Sequence, residues 1–132
     1  MTHKVFLSYA RGDRALAKLL GDRMRALGAD VFDDETISPG ENWDAVLRNA
    51  LQAADAVVYL APSPGTAESN LTFFEVGAAR ALGKRIIPVL PTQDAMRIRE
   101  LPAGLQSLQA LDGSRLAPDA LAESIVATLD AA

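Results

Sequence analysis

Short apolar runs alternate along the chain with segments whose apolar residues recur three and four positions apart. This alternation is the mark of successive βαβ units. Val5-Phe6-Leu7 has no polar alternation, as expected of a strand covered on both faces. Asp13 stands at the N-cap position of a helix predicted over Arg14–Leu27, with Leu16, Leu19, Leu20, Met24 and Leu27 as its apolar residues. Gly28 follows where a helix C-terminus favours glycine. Val31-Phe32 is a second, minimal strand, and the loop from Asp33 to Asn42 carries a Pro39-Gly40 turn signal. Trp43–Ala53 is helical, with Trp43, Val46, Leu47, Ala50 and Leu51 on one side. Ala56–Leu60 is the clearest strand of the chain. A Pro-, Gly-, Ser- and Thr-rich loop then leads to a helix ending at Leu82, with Leu71, Phe74, Ala78 and Leu82 as its stripe and Gly83 as its stop. Arg85–Leu90 reads as the fourth strand, Asp94–Leu101 as a short helix and Leu108–Leu111 as a weak fifth strand. Ala117–Leu129 closes the chain as a helix with Pro118 in its first turn and a stripe of Leu121, Ile125 and Leu129.

Strands joined by helical crossovers predict a flavodoxin-like α/β fold: a doubly wound, five-stranded parallel sheet in the order 2-1-3-4-5, with helices on both faces. In such sheets ligands sit beyond the carboxyl ends of the strands, where the strand order reverses. That region is formed by the loops Ser8–Asp13, Asp33–Asn42 and Ala61–Asn70. A length of 132 residues suits one domain spanning 1–132.

Composition narrows the chemistry. The chain has no cysteine and one histidine, His3, so thiolate nucleophiles, disulfides, histidine triads and thiolate metal sites are set aside, and no metal site is expected. The formal charge of −4 argues against a nucleic-acid surface. No apolar run approaches the roughly 18–20 residues needed to cross a bilayer, and the N-terminus lacks a signal-peptide pattern, so a cytoplasmic protein is expected, with no membrane contact. Asp33-Asp34 alone does not make a receiver-type magnesium site, because Ser8-Tyr9-Ala10 and Leu60-Ala61 stand where its other carboxylates belong. Residues 61–70 carry no dinucleotide-binding glycine pattern.

Glu75 is the charged residue in an unusual place. At about 100° per residue it falls within the apolar stripe of its helix, between Leu71 and Ala78, while Arg80 falls on the opposite side. An inward carboxylate without donors, a cavity or a raised pKa costs several kcal/mol. A glutamate early in a helix also favours the N-terminal dipole. The strand-top loop just before it and the lack of another catalytic group favour a functional role.

The residues also form a family pattern. Val5-Phe6-Leu7-Ser8-Tyr9-Ala10 resembles the first strand of TIR (Toll/interleukin-1 receptor) domains. Val31-Phe32-Asp33-Asp34-Glu35-Thr36-Ile37-Ser38-Pro39-Gly40 resembles their second strand and BB loop. Asn42-Trp43 and the residues after it resemble the next helix, and the segments from Asp55 and from Gly83 resemble the third and fourth strands. The similarity spans about residues 4 to 91, in order. The family signature Ser-x-Trp-x-x-x-Glu meets Ser69-Asn70-Leu71-Thr72-Phe73-Phe74-Glu75, which keeps the serine and the glutamate and has leucine in place of tryptophan.

The resemblance, to the bacterial NAD+-cleaving type, implies a hydrolase or cyclase that takes NAD+ as substrate, with no cofactor, and Glu75 as its catalytic residue. It implies substrate contacts from Ser8, Tyr9, Ala10, Arg11, Glu35, Ile37, Trp43, Ser69 and Leu71. It also implies activation by self-assembly, as a homo-oligomer or filament, in bacterial antiviral defence or signalling. A sensor domain or partner protein outside this chain would supply the trigger. Two other readings stay open: a noncatalytic TIR adaptor acting by self-association, and an enzyme of the nucleoside deoxyribosyltransferase type.

Overall fold

The computed structural model describes residues 3–9, 13–33, 43–60, 77, 79, 81–90, 111–113 and 116–131, with the side chains of Trp43 and Asp44 excepted. The described strands are β1 (Lys4–Ser8), β2 (Asp30–Phe32), β3 (Ala56–Leu60), β4 (Arg85–Leu90) and β5 (Leu111–Asp112). The helices are α1 (Arg14–Ala26), α2 (Trp43–Ala53) and α3 (Pro118–Asp130). Gly77, Ala79 and Ala81 are also helical. The strands form one sheet in the order β2-β1-β3-β4-β5, as expected, and every pairing is parallel.

Alternation along the strands divides the core in two. Val5 and Leu7 of β1, Val58 and Leu60 of β3, and Ile87 and Val89 of β4 face α1 and α3, meeting Leu20 and Met24 of the first and Leu121 and Ile125 of the second. Phe6, Val57, Tyr59 and Ile86 point the other way and meet Leu47 and Leu51 of α2, together with Ala79. β3 has no exposed face: all five of its residues are buried. Full burial of one such side chain is worth about 1.5–3 kcal/mol, so both faces contribute to stability.

Two glycines end helices at the base of the sheet. Gly28 has φ +96° and Gly83 has φ +71°, a region open to glycine at little cost. The Ala29 amide donates to the Met24 carbonyl and the Gly28 amide to Arg25, both at 3.0 Å, the paired bonds of a Schellman motif. The Lys84 amide donates to Ala79 in the same six-residue pattern at 3.0 Å. Asp55, just before β3, binds the start of β1 twice: its carboxylate accepts from the Lys4 amide at 2.8 Å, and its own amide donates to the Lys4 carbonyl at 2.7 Å.

Several local expectations are corrected. Asp13 does occupy the N-cap position of α1, but its side chain makes no capping hydrogen bond. The buried residues of α1 are Ala17, Leu20, Gly21 and Met24, whereas Leu19 and Leu27 are exposed. The small residues Ala17 and Gly21, with Gly21 near Val31, share the buried face with Leu20 and Met24. Leu82 is exposed because it lies in the turn after the helix rather than on its buried stripe. Of the predicted strand Leu108–Leu111, residues 108–110 lie outside the described residues, and Leu111 begins β5 (Leu111–Asp112). The predicted helix Asp94–Leu101 lies outside the described residues. Pro88 sits within β4 beside Tyr59, and β5 joins only from Val89 onward.

Candidate active site

Parallel pairing places the carboxyl ends of β1 and β3 side by side: Ser8 is in register with Tyr59. This is the place where the strand order reverses, since the chain moves from β1 outward to β2 and then back across to β3. Ser8 is 1% exposed and Tyr59 is fully buried, so the sheet presents packed side chains right up to its rim. Tyr9 is half-buried above Ser8, against the α1 side of the core.

The first residue after β2, Asp33, also reaches this rim. The Tyr9 hydroxyl donates to Asp33 Oδ2 at 3.4 Å, a long bond that laces the exit of β1 to the exit of β2. In the sequence Asp33 opens the loop after the second strand and forms half of an acidic pair. Its contact with Tyr9 depends on the pairing of β1 with β2 and has no local signal. Asp13, at the start of α1, is 6% exposed and is, with Ser8, a buried polar residue near the same end of β1. The arrangement offers hydroxyl and carboxylate groups at one rim, a set suited to binding a polyhydroxylated ligand.

Of the residues expected to form the site, the structure brings together Ser8 and Tyr9, on consecutive positions at the end of β1. Trp43 begins α2, and its side chain lies outside the described set. Ala10, Arg11, Glu35, Ile37, Ser69, Leu71 and Glu75 lie outside the described residues. Among the described residues, no group of three or more acidic or histidine side chains could hold a metal ion, and no helix is long and apolar enough to cross a membrane.

A groove of about 420 Å³ opens elsewhere, between α2 and the β1–β2 edge, lined among others by Lys4, Asp30, Phe32, Asn49 and Ala53. Neither Ser8, Tyr9 nor Tyr59 lines it. It is therefore separate from the rim where the strand order reverses.

Comparison with known proteins fixes the lineage. The chain is similar in structure to the TIR domain of the Toll-related receptor TRR-2 from Hydra magnipapillata, with 20% identity, a TM-score of 0.71, and 97% of this chain matched to 95% of that one. It is similar to the RPS4 and RRS1 TIR domain heterodimer at 17% identity and a TM-score of 0.67, with coverages of 98% and 96%. A further neighbour is the CMP N-glycosidase BcmB of Clostridium botulinum, at 21% identity and a TM-score of 0.59, with coverages of 98% and 99%. These likenesses establish the fold. A search of curated proteins found no match. The family model for the TIR domain matches residues 5–126, and so nearly the whole chain belongs to the TIR domain family.

Proposed function

We propose that this TIR domain cleaves the nicotinamide–ribose bond of NAD+, with Glu75 as the catalytic carboxylate. The observation that carries this reading is Ala79. It is fully buried against Phe6, Val57 and Tyr59, whereas Gly77 and Ala81 are exposed. These three residues set the phase of the helix. In our reading, a helix continued back from Ala79 at about 100° per residue would bring position 75 within about 40° of the buried line.

An ionised carboxylate in that position would need a compensating group. An oxocarbenium-like ribosyl centre is such a group. Nicotinamide is a good neutral leaving group, so heterolysis of its bond to the ribose C1′ builds positive charge on the sugar while the bonding pair leaves with the ring nitrogen. A fixed carboxylate stabilises that charge and holds the ribose hydroxyls. Water then attacks C1′ to give ADP-ribose, or a nucleophile within the nucleotide closes a cyclic product. Ser8 and Tyr9 supply hydroxyls to the substrate from the β1 rim, joined in this reading by Ala10, Arg11, Glu35, Ile37, Trp43, Ser69 and Leu71. The likeness to an N-glycosidase of a nucleotide supports the reaction class. The same reading carries self-assembly into an oligomer or filament, and a role in bacterial antiviral defence or signalling in the cytoplasm.

A second reading, a noncatalytic adaptor acting by TIR–TIR contact, is favoured by Leu71 in place of tryptophan and by the likeness to a TIR heterodimer. One experiment separates the two. Concentrated protein is incubated with NAD+ and the products are resolved by chromatography, for the wild type and for Glu75→Gln. Free nicotinamide from the wild type alone, with equal circular dichroism of both proteins, supports the enzyme. Equal release by a folded Glu75→Gln removes Glu75 from the mechanism, and no release by either protein favours the adaptor.

A further inference from the structure

Among the described residues the sheet has two edges, β5 with two residues and β2 with three. An edge strand offers unpaired backbone groups to any other strand that can reach it. On β2, the Asp30 amide donates inward to the His3 carbonyl at 2.8 Å. In a parallel pairing the backbone groups of successive residues alternate sides, so the amide and carbonyl of Val31 point outward. Val31 is thus the one residue of β2 whose backbone faces away from the sheet.

That carbonyl is covered. Arg25, in the last turn of α1, donates from Nη2 to the Val31 carbonyl at 3.0 Å. Its Nη1 donates to Asp22 Oδ1 at 3.1 Å, one turn earlier on the same helix. Nη1 also lies 3.5 Å from the place a Cβ on Gly21 would occupy, so the guanidinium runs along the helix beside Gly21. A planar donor fork held at one prong by a carboxylate and directed at a backbone carbonyl by the other has little freedom to swing aside.

We infer that Arg25 is an edge guard: it keeps β2 from pairing with the β2 of a second copy of this chain. The described part of β5 is two residues long, whereas on β2 the guanidinium occupies the outward carbonyl of Val31. Association of this domain with itself therefore leaves the β2 edge unused. The inference stands independently of any enzymatic activity.

The test replaces Arg25→Met, which keeps the aliphatic stem and removes the donors. Sedimentation velocity is run on both proteins over a hundredfold range of concentration. The expected result is a dimer in the Met variant at concentrations at least tenfold below those at which the wild type first associates. The amide of Val31 in that dimer should exchange more slowly than in the monomer. A variant with the wild-type mass distribution at every concentration overturns the inference. A second reading needs no variant: hydrogen exchange at Val31 in the wild type should not change with protein concentration. Protection that grows as the wild type assembles shows the edge in use, and the guard is then refuted.

Discussion

The base and the rim of the sheet use polar side chains in opposite ways. At the base, polar groups secure backbone. Asp55 holds the Lys4 amide, the Lys84 ammonium donates to the Gln52 carbonyl at 2.7 Å, and the Arg85 guanidinium donates to the Thr128 carbonyl at 3.1 Å near the end of α3. These bonds lie in exposed surroundings and give each carbonyl or amide a local partner. At the rim, Ser8 and Asp13 are buried, and the Tyr9 hydroxyl reaches a carboxylate on a neighbouring strand's exit. These three polar groups at the base act on backbone, whereas the contact of Tyr9 with Asp33 at the rim joins two side chains.

Substitutions at the two ends should therefore separate stability from activity. The largest effect belongs to the proposed catalytic carboxylate: Glu75→Gln should lower nicotinamide release by at least about a hundredfold, the scale of losing one transition-state charge contact. Next comes the core beneath the rim. Leu20→Ala removes a fully buried side chain and should cost about 2–5 kcal/mol in denaturant unfolding. Gly83→Ala places a Cβ in a left-handed turn with open space around it, so backbone strain alone should cost about 1–2 kcal/mol. Asp55→Ala should cost about 1 kcal/mol by losing its bond to the Lys4 amide, with release of nicotinamide per folded molecule unchanged. A loss of turnover in Asp55→Ala without loss of stability would blur the division between the two ends.

Much of the frame is legible in the sequence because its signals are local and strong. Ala56–Leu60 is an apolar run flanked by Asp55 and Pro62 in the sequence, and its bounds match β3. Trp43–Ala53 matches α2, since Val46, Leu47, Ala50 and Leu51 repeat at helical spacing. Gly28 and Gly83 mark their helix ends by the one property no other residue shares at positive φ. The closing stripe of Leu121, Ile125 and Leu129 is buried as read.

The misreadings have physical causes as well. On α1, Leu20 and Met24 are buried as their spacing predicts, while Leu19 is exposed and Ala17 and Gly21 join the buried face. Close approach to the sheet favours small residues, and their size gives no sequence signal. The Asp13 side chain was assigned to the nearest amides in sequence, yet the helix begins without that bond. The place of Ser8 and Tyr9 at the end of β1 follows from their position after an apolar run. The role of Asp33 at the rim, and of Arg25 on the β2 edge, depends on strand neighbours that no local pattern reveals.

The most direct test compares one carboxylate from each end in a single assay. Glu75→Gln and Asp55→Asn are matched for circular dichroism and concentration, and nicotinamide released from NAD+ is followed over time. The account predicts that Asp55→Asn turns over like the wild type while Glu75→Gln is silent. Equal turnover by all three proteins would contradict it.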